Sequence, residues 1–146
     1  MTTRPIEPED AAPHALGAFA ADTLVELSAI ERSLLVAEAR LDDPSVIGDM
    51  RRRFQAIGRG AQALGLPSVQ EVAQLAEKLV DLDRRGRQPL AEAEIDVARH
   101  AVDVLSLQAH DIRRRLDGHP GANVRVAAVA VRDRIRHAIK DDSLRH

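Results

Sequence analysis

Histidine and acidic side chains that share one helix face are the first candidates for chemistry in this chain. Asp96, His100 and Asp103 are spaced by four and three residues, so a helix places them on one face. A carboxylate beside an imidazole raises its basicity and, with further ligands, can help to hold a metal ion. These residues lie opposite the apolar stripe of their own segment, where solvated Asp and His are common. The pattern therefore favours a solvated face, and the sequence predicts no metal site and no cofactor.

Arginine clusters are the second candidates, because they can attract an acidic partner. They lie at Arg51 to Arg53, at Arg113 to Arg115, and along the run from Arg132 to Lys140. The second cluster closes a predicted helix, where cations also suit the helix dipole. The sequence contains no glycine-rich phosphate loop, no Ser-His-Asp set and no paired-carboxylate pocket. We therefore do not expect an enzyme.

Composition excludes several further classes of function. The 146 residues suit one domain, and a net charge of -2 provides no overall basic field for nucleic acid or anionic lipid. Phe19 and Phe54 are the only aromatic residues, so binding by base stacking is nearly excluded. The chain has no Cys, a polar start, and no apolar stretch of the roughly 18 residues that a membrane helix needs. We expect a bacterial, cytoplasmic protein that binds neither nucleic acid nor membrane, and its oligomeric state is left open.

Apolar residues recur every three or four positions through most of the chain, which predicts helices rather than strands. The predicted helices lie near residues 14–41 (with a break near Asp22), 44–64, 68–85, 90–117 and 121–140. Their ends are marked by two capping-box patterns and three glycines: Thr23 with Glu26, Ser68 with Glu71, and Gly65, Gly86 and Gly118.

Long amphipathic helices joined by short connections pack as antiparallel neighbours. The expected fold is therefore all-α, an antiparallel up-and-down four-helix bundle with an additional C-terminal helix. We assign residues 1–13 to a flexible N-terminal tail, 14–117 to the bundle, and 118–146 to the C-terminal helix and tail. The predicted core residues are Leu27, Leu34, Met50, Phe54, Ile57, Leu75, Leu79, Ala98, Val102 and Leu105.

The segment 44–64 is unusual because two of its glycines, Gly58 and Gly60, lie close together in its interior. Each costs about 1 kcal/mol relative to Ala in a helix. Such a cost is usually offset where the backbone closely approaches a neighbouring helix or a docking partner. On a helical wheel, four polar residues lie opposite the apolar side of this segment and are predicted to be exposed: Arg52, Gln55, Arg59 and Gln62.

The residues from Gln55 onward form a motif, Gln55-Ala56-Ile57-Gly58-Arg59-Gly60-Ala61, followed by Leu64-Gly65-Leu66. This motif resembles the signature of bacterial histidine phosphotransfer (HPt) domains of phosphorelays and chemotaxis kinases. That signature has His, Ser or Thr, an aliphatic residue, Lys, Gly, Ser or Gly, Ala, two variable residues, and then Gly between two apolar residues. The family's later apolar pattern with a helix-borne Glu is matched by Glu77 and closes at Gly86. The resemblance covers roughly residues 20–117.

Three positions depart from the family's motif. The family's phosphoacceptor His falls on Gln55, its Lys on Gly58 and its Gly on Arg59. A neutral imidazole nitrogen is a nucleophile, whereas the nitrogen lone pair of a carboxamide is delocalised into the carbonyl. The resemblance therefore implies a phosphoacceptor-equivalent position at Gln55 and no catalytic residue. The partner-binding residues that it implies are Arg52, Gln55, Gly58, Arg59 and Gln62.

The function implied by the resemblance is that of a pseudo-phosphotransfer domain in two-component signalling. Such a domain docks a receiver domain or a histidine kinase without accepting phosphate. Two alternatives are open at this point. An active phosphotransfer protein would use a histidine outside the motif, with His100 as the least unsuitable candidate, and a helical scaffold would have no role in phosphorelays.

Overall fold

Five α-helices account for most of the chain. A computed structural model describes residues 12–39, 44–86, 90–119 and 124–145. The helices are α1 (Pro13–Glu38), α2 (Pro44–Ala63), α3 (Pro67–Gly86), α4 (Glu92–Leu116) and α5 (Arg125–Arg145). These four segments contain no strand, so the all-α class is confirmed. The predicted tail, residues 1–13, lies outside the described residues except for its last two.

Two of the predicted helix ends are confirmed by their backbone geometry. Gly65 follows α2 with a φ of 67°, and Gly118 follows α4 with a φ of 81°, both in the left-handed region that glycine adopts without steric cost. After α2, the N–H of Leu66 donates to the carbonyl of Ala61 at 2.9 Å, and the N–H of Gly65 donates to that of Gln62 at 3.2 Å. These paired bonds form a Schellman motif, which satisfies the last carbonyls of the helix.

Both predicted capping boxes are wrong, and so is the break near Asp22. Thr23 lies inside α1, only 2% exposed, and Glu26 pairs with Arg53 instead of capping a helix. Ser68 lies one residue inside α3, and its hydroxyl accepts a hydrogen bond from Gln108 at 3.0 Å. In each case a proline takes the first helical position, where its fixed φ suits the helix and its missing N–H leaves nothing unpaired.

The first four helices pack in a closed ring around the core. Helices α2 and α4 each pack against α1 and α3, and α5 packs against α3 and α4. Within the described segments, the backbones of α2 and α4 do not approach one another directly, so these two helices lie diagonally across the ring. No helix of this part of the chain combines the length and the apolar composition needed to cross a bilayer. The antiparallel order of the helices stays a prediction.

The predicted core is confirmed at nine of its ten positions, and Leu75 is the exception. On α3 the buried residues group around Ala76 and include Val72, Ala73 and Val80. Leu75 is adjacent to Ala76 and so points about 100° away around the helix. It therefore lies at the edge of the core, half-buried.

Charged side chains link several pairs of helices at the surface of the bundle. Arg99 of α4 bonds to Glu38 of α1, and this hydrogen bond, followed by the attraction of the charges, holds the pKa of Glu38 below its usual value. On the other side, Glu71 of α3 pairs with Arg132 and Arg136 of α5, both at 3.3 Å. Exposed pairs of this kind contribute little to stability, so the stability of the bundle comes mainly from its apolar core.

Phe54 is fully buried at the centre of this core, with 0% of its surface exposed. We expect Phe54→Ala to lower the free energy of unfolding by about 3–5 kcal/mol, because it removes buried area and leaves a cavity. Denaturant unfolding measures the change. The control is Val25→Ala on the solvent side of α1, where 67% of the residue is exposed and the expected change is within about 0.5 kcal/mol. A loss below about 1 kcal/mol for Phe54→Ala would contradict this packing.

Candidate functional site

The solvent side of α2 presents three of the four polar residues predicted there. Arg52, Arg59 and Gln62 are exposed, as expected. Gln55 is half-buried, so the prediction of full exposure is wrong for this residue. Gly58, included in the predicted partner-binding set, is buried, so it lies beneath this face and not on it. The four polar residues Arg52, Gln55, Arg59 and Gln62 form the surface that is predicted to bind a partner, and we call this surface the docking face.

Gln55 is half-buried because it lies on the side of α2 that faces α3. Arg51, four residues before it, pairs with Asp81 of α3 at 3.9 Å. Gly58, three residues after it, packs against α3 as well. Residues three and four apart share a helix face, so Gln55 lies at the border between the docking face and the α2–α3 contact.

Two of the three glycines of α2, Gly58 and Gly60, face two different helices. A Cβ on Gly58 would lie 3.5 Å from Cγ of Gln74 and 3.7 Å from Cβ of Ala73, both on α3. A Cβ on Gly60 would lie 2.9 Å and 3.0 Å from two ring carbons of Phe19 on α1. The expectation that a glycine permits close backbone approach is therefore confirmed for Gly60, whose neighbour is a helix of this chain. At Gly58 a Cβ would make ordinary contacts with α3, so this position does not need a glycine.

The arginines of α2 differ in how their charge is compensated. Arg53 bonds to Asp49 at 2.9 Å and to Glu26 of α1 at 3.1 Å, and these hydrogen bonds raise the pKa of its guanidinium further. Arg52 lies 3.7 Å from Asp49, and Arg51 pairs with Asp81. Arg59, in contrast, forms no ion pair or hydrogen bond with any described residue. It is also the only charged residue between Arg53 and Glu71.

An open groove of about 330 Å³ lies beside the docking face, between α1 and α2. Phe19, Val25 and Ile57 provide apolar lining, and Asp22 and Glu26 lie along the α1 side. Sequence analysis did not identify this groove. The signal available was the position of Val25, an apolar residue outside the main stripe of α1 that is exposed in the structure. The groove adds an apolar, partly acidic surface to the cation of Arg59.

His100 lies away from the docking face, on α4, whose backbone lies diagonally across the ring from that of α2 in the described segments. Its Nδ1 is 3.1 Å from Nη1 of Arg134 on α5, so Arg134 donates a hydrogen bond to this ring nitrogen. Asp96 and Asp103 are exposed on the same helix. Among the described residues, no group of His, Cys, Asp and Glu is arranged to hold a metal ion.

Comparison with known proteins identifies the class of this fold. No protein-family model and no curated protein matches the chain. Its structure is similar to that of a solved domain, with a TM-score of 0.74 and 23% sequence identity over 89% of this chain and 98% of that chain. This domain is the phosphorylated P1 domain of CheA3 from R. sphaeroides, solved in complex with CheY6. The similarity shows that this chain has an HPt-like fold.

The similarity reaches beyond the segment that carries the motif. Residues 1–117 are too few to make up 89% of the chain, so part of the match falls on residues after 117. The described residues there belong almost entirely to α5, which packs on α3 and α4. At least part of α5 therefore belongs to the shared fold. The boundaries of 1–13, 14–117 and 118–146 stay a prediction.

The two glycines predict opposite responses to the same substitution. Gly58→Ala places its Cβ at ordinary contact distances and should raise the free energy of unfolding by about 0.5–1 kcal/mol through helix propensity. Gly60→Ala forces the Phe19 ring or the helix to move, and overpacking of this kind costs about 1–3 kcal/mol, which cancels or exceeds the same gain. Urea unfolding of the two variants measures the difference.

The control for this prediction is the Phe19→Ala background. There Gly60→Ala no longer meets the ring, so it should stabilise about as much as Gly58→Ala does. Equal gains from both substitutions in the wild-type background would show that α2 does not approach α1 as closely as described.

Proposed function

We propose that this chain is a pseudo-histidine-phosphotransfer module of two-component signalling. It docks a receiver domain or a histidine kinase through the docking face and does not accept phosphate. Its helices α1 to α4 form an antiparallel up-and-down bundle. The observation that carries the proposal is the combination of an HPt-like fold with a carboxamide, Gln55, at the motif position of the phosphoacceptor.

The chemistry of Gln55 supports docking without transfer. In transfer from a receiver, an imidazole nitrogen forms a bond to phosphorus while the aspartyl O–P bond breaks and the carboxylate leaves. The Gln55 side chain offers an amide nitrogen that donates hydrogen bonds and has no available lone pair. Its half-buried position leaves the amide able to contact a bound partner. Gln55 therefore contributes to recognition and not to phosphoryl transfer.

The charge of the docking face supports an acidic partner. Arg52 and Arg59 are exposed there, and complementary charge increases the rate of association and fixes the orientation of a complex. The structurally similar P1 domain was solved in complex with CheY6. By analogy, a receiver domain is the first partner to test, and a histidine kinase is the second.

The position of His100 argues against the alternative of transfer through that residue. One of its ring nitrogens already accepts a hydrogen bond from Arg134, and α4 lies across the ring from α2. A receiver docked on α2 would therefore not present its phosphoryl group to His100.

Radiolabel transfer from phosphorylated receivers of the same organism tests the proposal. Wild type should bind a receiver and take no label. Gln55→His should fold, and Gln55→His with Arg59→Gly should accept label, because the imidazole supplies the nucleophile and glycine clears the approach. Adding Gly58→Lys should increase the rate, because a cation near the phosphoryl oxygens stabilises the charge that develops during transfer. A Cβ fits at position 58, but the rest of the lysine side chain has to extend past Gln74 to reach solvent.

The matched control is Gln62→His, which makes the same substitution at a fully exposed position of the docking face. It should stay unlabelled, since only residue 55 holds the phosphoacceptor-equivalent position. Mass spectrometry then maps any labelled residue. Label on a histidine of the wild-type chain would exclude the pseudo-phosphotransfer function, and the absence of binding to every receiver and kinase would favour an unrelated helical scaffold.

A further inference from the structure

Arg59 is the one arginine of α2 whose charge no described residue compensates. The other arginines of α2 have acidic partners within 4 Å, whereas Arg59 has none among the described residues. No other charged residue lies between Arg53 and Glu71. The ion pairs of α2 link its other arginines to Asp49 of the same helix, to Glu26 of α1 and to Asp81 of α3, but no ion pair within the described residues involves Arg59.

The side chains next to Arg59 on α2 are shorter than its own side chain. Its chain neighbours are Gly58 and Gly60, and the residues three and four positions away are Gln55, Ala56, Gln62 and Ala63. The guanidinium is therefore the longest group on this part of α2, carried by the convex surface of a helix. A small anion bound there would be surrounded by water and only weakly held, because water screens exposed charges. A ligand that binds Arg59 tightly must therefore itself shield the guanidinium from water, as an anionic pocket on a protein does.

Resting on the proposed function, we infer that Arg59 makes docking selective for the phosphorylated receiver. The guanidinium enters the receiver's phosphorylation pocket and donates hydrogen bonds to the oxygens of the aspartyl phosphate. A planar guanidinium pairs with phosphate through two parallel hydrogen bonds, which a lysine ammonium does not reproduce. Inside the complex the surrounding protein excludes water and strengthens the pair. Because Gln55 offers no nucleophile, the phosphoryl group stays on the receiver.

Calorimetric titration tests this selectivity with one receiver in two states. The receiver is used with Mg²⁺ alone and with Mg²⁺ plus beryllofluoride, which mimics the aspartyl phosphate. Wild type should bind the beryllofluoride form more tightly. Arg59→Gln should weaken binding to that form by about 10- to 100-fold, the usual range for a charge-assisted hydrogen bond, and change binding to the Mg²⁺ form much less. Arg59→Lys should recover only part of the loss.

Two control variants separate this effect from a general loss of positive charge. Arg52→Gln removes a cation of the docking face that is already close to Asp49. It should change the affinities for the two receiver states by the same factor. Arg113→Gln removes an exposed arginine of α4 and should change neither of the two affinities. Circular dichroism and the melting temperature should be unchanged for all four variants, because each replaces an exposed side chain.

The outcomes distinguish this inference from the proposed function. If Arg59→Gln weakens both receiver states equally, or if wild type prefers the Mg²⁺ form, the selectivity is refuted while docking on α2 stands. If no receiver binds in either state, the proposed function and the inference both fail. Tighter binding of inorganic phosphate to wild type than to Arg59→Gln, without any receiver, would assign Arg59 to a small anion and also refute the inference.

Discussion

The packing of α2 against both of its neighbours is the constraint on which the rest of the structure depends. At Gly60, α2 comes too close to the Phe19 ring of α1 to leave room for a Cβ, and at Gly58 it packs against α3 at ordinary contact distances. With α2 held this closely, Met50, Phe54 and Ile57 reach the centre of the ring of helices and are buried there. The same closeness determines how much of α2 remains accessible. Three polar side chains stay exposed, and Gln55 is half covered on the side of α3.

The exposed and buried sides of α2 can change independently, so the fold can persist while the chemistry changes. Buried positions of the helix keep the apolar residues that close the core, whereas position 55 contributes little to it. On the proposed function, two departures from the family's motif act together. The amide of Gln55 removes the bond-forming step, and the guanidinium of Arg59 adds attraction for an anionic partner. Both changes favour a complex that persists over one that forms only to pass on a phosphoryl group.

Sequence periodicity was sufficient for most of the fold and for only part of the site. It predicted five helices, two glycine ends and nine of ten core positions, because apolar spacing and left-handed glycines are local properties. The capping boxes failed because a Thr or Ser three residues before a Glu has the same pattern inside a helix as at its start. The exposure of Leu75 and of Gln55 depends on which neighbouring helix covers that side of their own helix, and this is a tertiary property. The groove beside Val25 is formed by two helices, so neither helix alone predicts it.

On the proposed function, core packing and partner recognition meet at Arg59, because this residue lies between Gly58 and Gly60. The backbone on one side of it is held by α3 and on the other side by α1, so this turn of α2 is fixed by contacts in two directions. Binding becomes less favourable when it orders groups that were mobile, and each immobilised long side chain costs about 0.5–1.5 kcal/mol of binding free energy. With the backbone already fixed, docking has to order only the side chain of Arg59. The packing of this turn against α1 and α3 thereby provides a fixed base for the one arginine of α2 that no residue of the described segments compensates.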